Sequence, residues 1–213
     1  ELVERATVIP NGVHPLFFEP PPSELVAAVG RRLGLARRPR LLYVGGYDPR
    51  KNLATLLAAV SQVFARREGE LVLVGALGQP EVQAAVEAHG LTTRVIATEP
   101  MPRAELVALY HLADLFVFPS RYEGFGLPPA QALAAGVPVV ASKIPAVEEV
   151  VGPSGVLVEA TKVGAWVEAI EGVLDSRGLS ERMVERGRER AQAFHWAEVA
   201  LRYQGLYEQL VKR

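Results

Sequence analysis

Six short apolar runs recur along this chain and restrict its fold more than any other feature. They are Arg40–Gly45, Glu70–Gly75, Arg94–Ala97, Asp114–Phe118, Pro138–Ala141 and Gly155–Val158. Apolar residues fill successive positions, as in Leu41-Leu-Tyr-Val44 and Leu71-Val-Leu-Val74. A strand with one face in water alternates apolar and polar residues; a strand covered on both faces has no reason to, and that is the condition of a parallel sheet. Helical patterns fill the gaps. Asn52–Arg66 places Leu53, Leu56, Leu57, Val60 and Phe64 on one face at three- and four-residue steps. Pro80–His89 and Pro102–Leu112 each begin with proline, whose missing N–H costs nothing in a first turn. Strand–helix alternation of this kind predicts an α/β fold: a doubly wound parallel sheet of about six strands.

The ends read differently. Residues 1–22, with Val8-Ile-Pro-Asn-Gly-Val13 and Pro20-Pro-Pro22, read as a connector, and residues 23–213 as one domain. From about residue 162 no strand-like run occurs, and the pattern predicts a C-terminal tail of two or three helices, broken near Gly172–Gly178 and Phe194-His195. With 49% hydrophobic residues the chain can build a core of that size. It holds no cysteine, which excludes disulfides and thiolate-bound metal. A formal net charge of -1 argues against a nucleic-acid surface. No apolar run approaches ~18 residues, so no membrane-spanning helix is expected. The chain opens on Glu1-Leu2-Val3-Glu4 rather than Met, like the middle of something longer.

Ligands of open parallel sheets bind beyond the C-terminal strand ends, so the loops after the strands matter most. The loop after Val44 reads Gly45-Gly46-Tyr47-Asp48-Pro49-Arg50-Lys51-Asn52 and runs into a helix. Two glycines permit close backbone approach or positive φ. Cations at a helix N-terminus oppose its dipole by ~0.3–1 kcal/mol, a conflict that an anionic ligand resolves. Arg50 can grip two phosphate oxygens and Lys51 supplies a compact charge, so diphosphate binding is one reading and a solvated turn the other. Lys51 is also one of only four lysines, against nineteen arginines. The loop after Phe118 reads Pro119-Ser-Arg-Tyr-Glu123-Gly-Phe-Gly-Leu-Pro-Pro-Ala-Gln131, with a small-residue helix closed by Gly136. Gly124-Phe125-Gly126 can aim successive N–H groups at one point. Glu123 can accept hydrogen bonds from vicinal hydroxyls, although a lone Glu-Gly would ordinarily be a solvent-facing helix start.

Arg121-Tyr-Glu-Gly-Phe-Gly-Leu-Pro128, the helix after it and Gly136-Val-Pro-Val-Val-Ala-Ser142 resemble retaining glycosyltransferases of family 4. Agreement extends through Pro10-Asn-Gly-Val13, Tyr43–Asn52, Leu71–Gly75, Leu109-Tyr110, Ala113-Asp114, Ala141–Pro145 and Phe194-His-Trp196, so the resemblance covers essentially the whole chain. It implies one half of a GT-B enzyme: the Rossmann-like C-terminal domain that holds the nucleotide-sugar donor, with the N-terminal acceptor domain missing. Arg50 and Lys51 match the basic pair on the donor diphosphate, and Gly45 and Gly46 the turn that admits it. Glu123 matches the first carboxylate of the family's E-x7-E motif, which meets the donor sugar. Gly124, Phe125, Gly126 and Leu127 match the loop lying along sugar and phosphate. Gln131 stands where the family has the second glutamate, on the ribose hydroxyls. A neutral acceptor contributes ~0.5–1.5 kcal/mol against ~1.5–3 for a charged one, so weakened nucleotide binding is expected. Many relatives carry Arg at the position of Gly46; here Arg50 would supply that charge.

The resemblance further implies retention of anomeric configuration, hexose transfer to a glycan or lipid-linked acceptor, and no cofactor. No metal is expected either, since the three aspartates form no Asp-x-Asp. The Pro-Arg-Lys-Asn variant is similar to mannosyltransferase-like members, which makes GDP-mannose the expected donor. The full-length enzyme is expected in the cytoplasm, a location compatible with peripheral attachment to the membrane face. The fragment alone is expected to bind donor without turnover. Two alternatives stay open: a non-catalytic nucleotide-binding module, with Gln131 as its mark, and a GT-B sugar-nucleotide epimerase. His14, His89, His111 and His195 lack metal-ligand spacing and read as surface or packing residues, Trp166 and Trp196 as packing residues, and Glu148-Glu149 as a solvated face. Lys143, in the loop after a strand, is a candidate to border the donor, while Lys162 and Lys212 read as surface residues.

Overall fold

The computed structural model describes residues 6–211; Lys212 and the opening Glu1–Glu4 lie outside them. Among the described residues, six strands form one parallel sheet: β1 (Arg40–Val44), β2 (Glu70–Val74), β3 (Val95–Thr98), β4 (Leu115–Phe118), β5 (Val139–Ser142) and β6 (Val156–Val158). Their order is β3-β2-β1-β4-β5-β6. β1 pairs with β2 from Arg40↔Glu70 to Val44↔Val74, and with β4 at Leu41↔Leu115 and Leu42↔Phe116. Every residue of β2, β4 and β5 is buried, which is why these runs carry no alternation.

Among the described residues, nine α-helices surround the sheet. They are α1 (Ser23–Arg32), α2 (Leu53–Phe64), α3 (Pro80–Ala88), α4 (Arg103–Leu112), α5 (Leu127–Ala135), α6 (Pro145–Val151), α7 (Val163–Asp175), α8 (Arg177–Ala191) and α9 (Trp196–Val211). α2 packs with α3 and α7, and α5 packs with α4, α6 and α8. Leu56, Leu57 and Val60 of α2 are fully buried, each worth roughly 1.5–3 kcal/mol relative to exposure. α5 is closed as expected by Gly136, at φ 72°, and carries its prolines in the first turn, behind Gly126 at φ 98°.

The helical tail resolves into α7, α8 and α9, with breaks at Ser176 and at Gln192–His195. α1 has no counterpart in the sequence reading. Val29 is buried and Leu25, Val26 and Leu33 pack partly buried against the core, so one apolar face holds it on α4. The residues before it are also packed. Val13 and Phe17 are buried, and Val13 N–H donates to the Phe194 carbonyl at 2.6 Å. Trp166 is a core residue as expected. Trp196 covers Gly12 but keeps 47% of its surface exposed, because α9 stands off the domain and buries only Val199.

Candidate functional site

Strand order reverses direction between β1 and β4. From β1 the chain builds outward to β2 and β3; from β4 it builds the other way to β5 and β6. The crevice outside the C-terminal ends of such a pair is where doubly wound sheets bind ligands. The two loops singled out in the sequence are those that follow β1 and β4.

Beyond β1, the N–H of Gly46 donates to the Val74 carbonyl at 3.1 Å, and Gly46 has φ 66°. A Cβ on neighbouring Gly75 would meet Gly46 Cα at 3.2 Å, so the turns after β1 and β2 touch through glycine backbone. The Tyr43 hydroxyl donates to the Gly46 carbonyl at 3.0 Å. Burial, then the charges of Glu123 and Asp48, raise that phenol above its ordinary range, so it stays a donor. Asp48 caps a short 3-10 turn, Pro49–Lys51, by accepting the Arg50 N–H at 2.8 Å. It also accepts from the Arg50 guanidinium Nε and Nη2, both at 3.0 Å. Those bonds hold the Asp48 carboxyl below its usual range and raise Arg50.

Beyond β4, Glu123 is half-buried and Gly124 exposed. Phe125 packs edge-on against Phe194 with centroids 5.6 Å apart, which anchors the loop. Gly126 leads into α5, and Leu127 is exposed at its start. Gln131 lies about one turn further along. Its Oε1 accepts from the buried Tyr110 hydroxyl at 3.4 Å, a long bond secondary to the 3.1 Å bond that hydroxyl makes to the Pro128 carbonyl.

The two loops meet. Lys51 Nζ donates to Glu123 Oε1 at 2.7 Å, and the Arg121 N–H donates to the Arg50 carbonyl at 2.8 Å. Lys51 Nζ also lies 5.6 Å from the Phe118 ring centroid, within range of a cation–π interaction. Of the residues predicted for the site, Lys51 and Glu123 are thus in direct contact. Arg50 is folded back on Asp48, and Gln131 bonds to Tyr110 rather than to the pair. Sequence reasoning missed Asp48's hold on Arg50 and missed Asn52, which was read as a helix start. Asn52 sits at φ 57°, a conformation uncommon outside glycine, and donates to the carbonyls of Pro119 at 3.1 Å and Ala160 at 2.7 Å. Nothing local in the sequence signals these bonds, since both acceptors lie far along the chain.

Volume points elsewhere. A groove of about 790 Å³ runs between Val8, Pro10, α8 and the start of α9. It is lined by three arginines and two glutamates, but it contains none of the predicted residues and no part of the loops after β1 and β4, where strand order reverses.

The Glycosyl transferases group 1 model matches residues 31–190, and the chain belongs to that family. It is 33% identical over 99% of its length to an MMP alpha-(1->4)-mannosyltransferase of Mycolicibacterium hassiacum, covering 50% of that protein. It is likewise 33% identical to a D-inositol 3-phosphate glycosyltransferase of Xylanimonas cellulosilytica, with 99% of this chain and 53% of the relative aligned. Among solved structures, a sucrose-phosphate synthase from Thermosynechococcus elongatus superposes with a TM-score of 0.83 at 33% identity, over 97% of this chain and 53% of that one. The chain therefore spans about half the length of the relatives it matches, and its fold is one half of the GT-B architecture. No helix among the described residues is long and apolar enough to cross a membrane.

Proposed function

We propose that the chain is the donor-binding half of a retaining glycosyltransferase, holding a nucleoside diphosphate sugar at the β1–β4 edge. The observation that carries this is the 2.7 Å contact between Lys51 and Glu123, from the two loops at the point where strand order reverses. A cation for the diphosphate and a carboxylate for the sugar hydroxyls lie side by side there, as donor phosphate and sugar are joined. The mannosyltransferase relative supports a hexose donor, and the Pro49-Arg-Lys-Asn52 sequence makes GDP-mannose the first candidate. The acceptor, a glycan or lipid-linked sugar, binds the half that is missing, and the enzyme works in the cytoplasm.

In this reading Lys51 and Arg50 face the diphosphate as it departs, together with the N–H groups of Gly124–Leu127. Fixed charges aimed at a developing anion commonly supply the largest part of catalysis, and here they need no metal or cofactor. Glu123 orients the sugar through its hydroxyls, and Gln131 reaches the nucleotide. Arg50 leaves Asp48 to do this; its guanidinium is largely exposed, so water competes with the pairing.

Calorimetric titration of the chain with GDP, UDP and ADP tests the reading. At least one should bind at or below millimolar concentration, without hydrolysis of the corresponding nucleotide sugar. Binding by none of them overturns it.

A further inference from the structure

Asn52 is 4% exposed, and its side chain is committed to three partners. Its amide nitrogen donates to the Pro119 carbonyl, just beyond β4, and to the Ala160 carbonyl, just beyond β6. Its Oδ1 accepts from Thr55 Oγ1 at 2.9 Å, which fixes which way the amide faces. β6 is the far edge strand, but the chain crosses back after it so that α7 packs beside α2. One side chain thus ties together the loops after β1, β4 and β6. Asparagine ordinarily caps a helix by accepting from the backbone of the first turn. Asn52 makes no such bond at the start of α2, so its polar groups serve the loops instead.

Lys51 precedes it directly, and Glu123 lies four residues after Pro119. We propose that Asn52 is a positioning residue: by clamping the loops after β1 and β4 it sets the separation of Lys51 and Glu123, and so the fit of the site to a diphosphate joined to a sugar. This inference rests on the donor-site reading above. A site built from two loops is only as accurate as the bonds between them, and small displacements of positioned groups have large effects. Besides the Lys51–Glu123 pair, those bonds are the Asn52–Pro119 bond and the backbone bond from Arg121 to Arg50. Lys51 and Glu123 would separate on a ligand; Asn52 stays bonded.

The test uses the chain itself, with GDP, UDP and ADP as probes. Asn52→Gly keeps the positive φ and removes all three side-chain bonds; it should weaken the best-binding diphosphate by about tenfold. Lys51→Ala should then cost much less affinity in Asn52→Gly than in the parent, because the ammonium is no longer held in place. A merely structural role would make the two losses additive. Thr55→Val releases the amide without touching the turn and should weaken binding by about twofold to threefold, which covers the case of Asn52→Gly failing to fold. A crystal structure of whichever ligand-free variant folds should show Lys51 and Glu123 drawn apart. If the parent binds a diphosphate and both variants bind it equally well, or Lys51→Ala costs the same in both backgrounds, Asn52 does not position the site and the donor reading stands. A parent that binds none of the three overturns both.

Discussion

Two ion pairs sit at opposite ends of the sheet, with β1 contributing to both, and they are built differently. At the N-terminal ends of β1 and β2, Arg40 and Glu70 are Cα partners in the sheet and lie 2.7 Å apart, 6% and 1% exposed. Their remaining groups are occupied. Arg40 Nη1 donates to the Leu112 carbonyl at 2.8 Å, and Glu70 Oε2 accepts from the N–H groups of Ala36 and Arg37. At the other end Lys51 and Glu123 also lie 2.7 Å apart, 19% and 14% exposed. Among the described residues the ammonium there has one hydrogen-bond acceptor for its three N–H groups, and Glu123 Oε2 has no donor. Equal distance conceals unequal commitment. A saturated pair has nothing left for a ligand; an unsaturated pair at a strand-reversal point does.

The largest effect should come from the saturated end. Glu70→Ala leaves the Arg40 guanidinium buried without a countercharge and should cost about 3–5 kcal/mol by urea denaturation. Nucleotide affinity of the folded protein should not change. A loss below about 1 kcal/mol would show that the two pairs differ less than their surroundings suggest.

Lys51→Ala should do the reverse. Near the surface its partner can be rehydrated, so stability should fall by no more than about 1 kcal/mol. Diphosphate affinity should fall by about 10- to 100-fold, as for a lost hydrogen bond to a charged group. A variant that unfolds instead would place this pair with Arg40–Glu70 among the structural ones.

Much of this was legible in the sequence, because strand burial and loop glycines are local signals. All six apolar runs became strands, and both loops lie where the strand order reverses. What stayed hidden depends on distant partners. Asn52 bonds to carbonyls 67 and 108 residues away, and no local pattern encodes a backbone acceptor at that range. That Lys51 and Glu123 touch, 72 residues apart, followed only once β1 and β4 were neighbours. α1 is a different case, since Leu25, Val26, Val29 and Leu33 recur at helical steps and its apolar face was legible in the sequence.

Gln131 extends the contrast to a neutral group. Its long bond to Tyr110 leaves the amide under-committed, and a carboxylate there would accept more strongly from both Tyr110 and a ribose hydroxyl. Gln131→Glu should raise nucleoside diphosphate affinity by about threefold to tenfold in calorimetry, with little change in stability. Unchanged affinity would mean that position 131 serves α5 packing and not the ligand.

His111 makes the smallest prediction and tests whether saturation always follows the structural end. It lies near the end of α4, on the same strand-starting side as Arg40, yet its Nε2 is buried with no hydrogen-bond partner among the described residues. Burial first, then the Arg188 charge, lowers its pKa below the ordinary value, while a bond with the Glu19 backbone opposes them. The fold therefore resists a proton that the unfolded chain accepts near pH 6.5. Below that pH the unfolded state binds more protons, so stability falls as pH drops through the window between about 6.5 and the lowered folded value, and is flat above it. His111→Leu should remove this part of the pH dependence while leaving that of nucleotide binding intact. Urea midpoints for parent and variant at a series of pH values between about 5 and 8 would check it. Parallel curves would mean that His111 is charged as readily in the fold as outside it, and that an unpartnered buried nitrogen on this side carries no penalty.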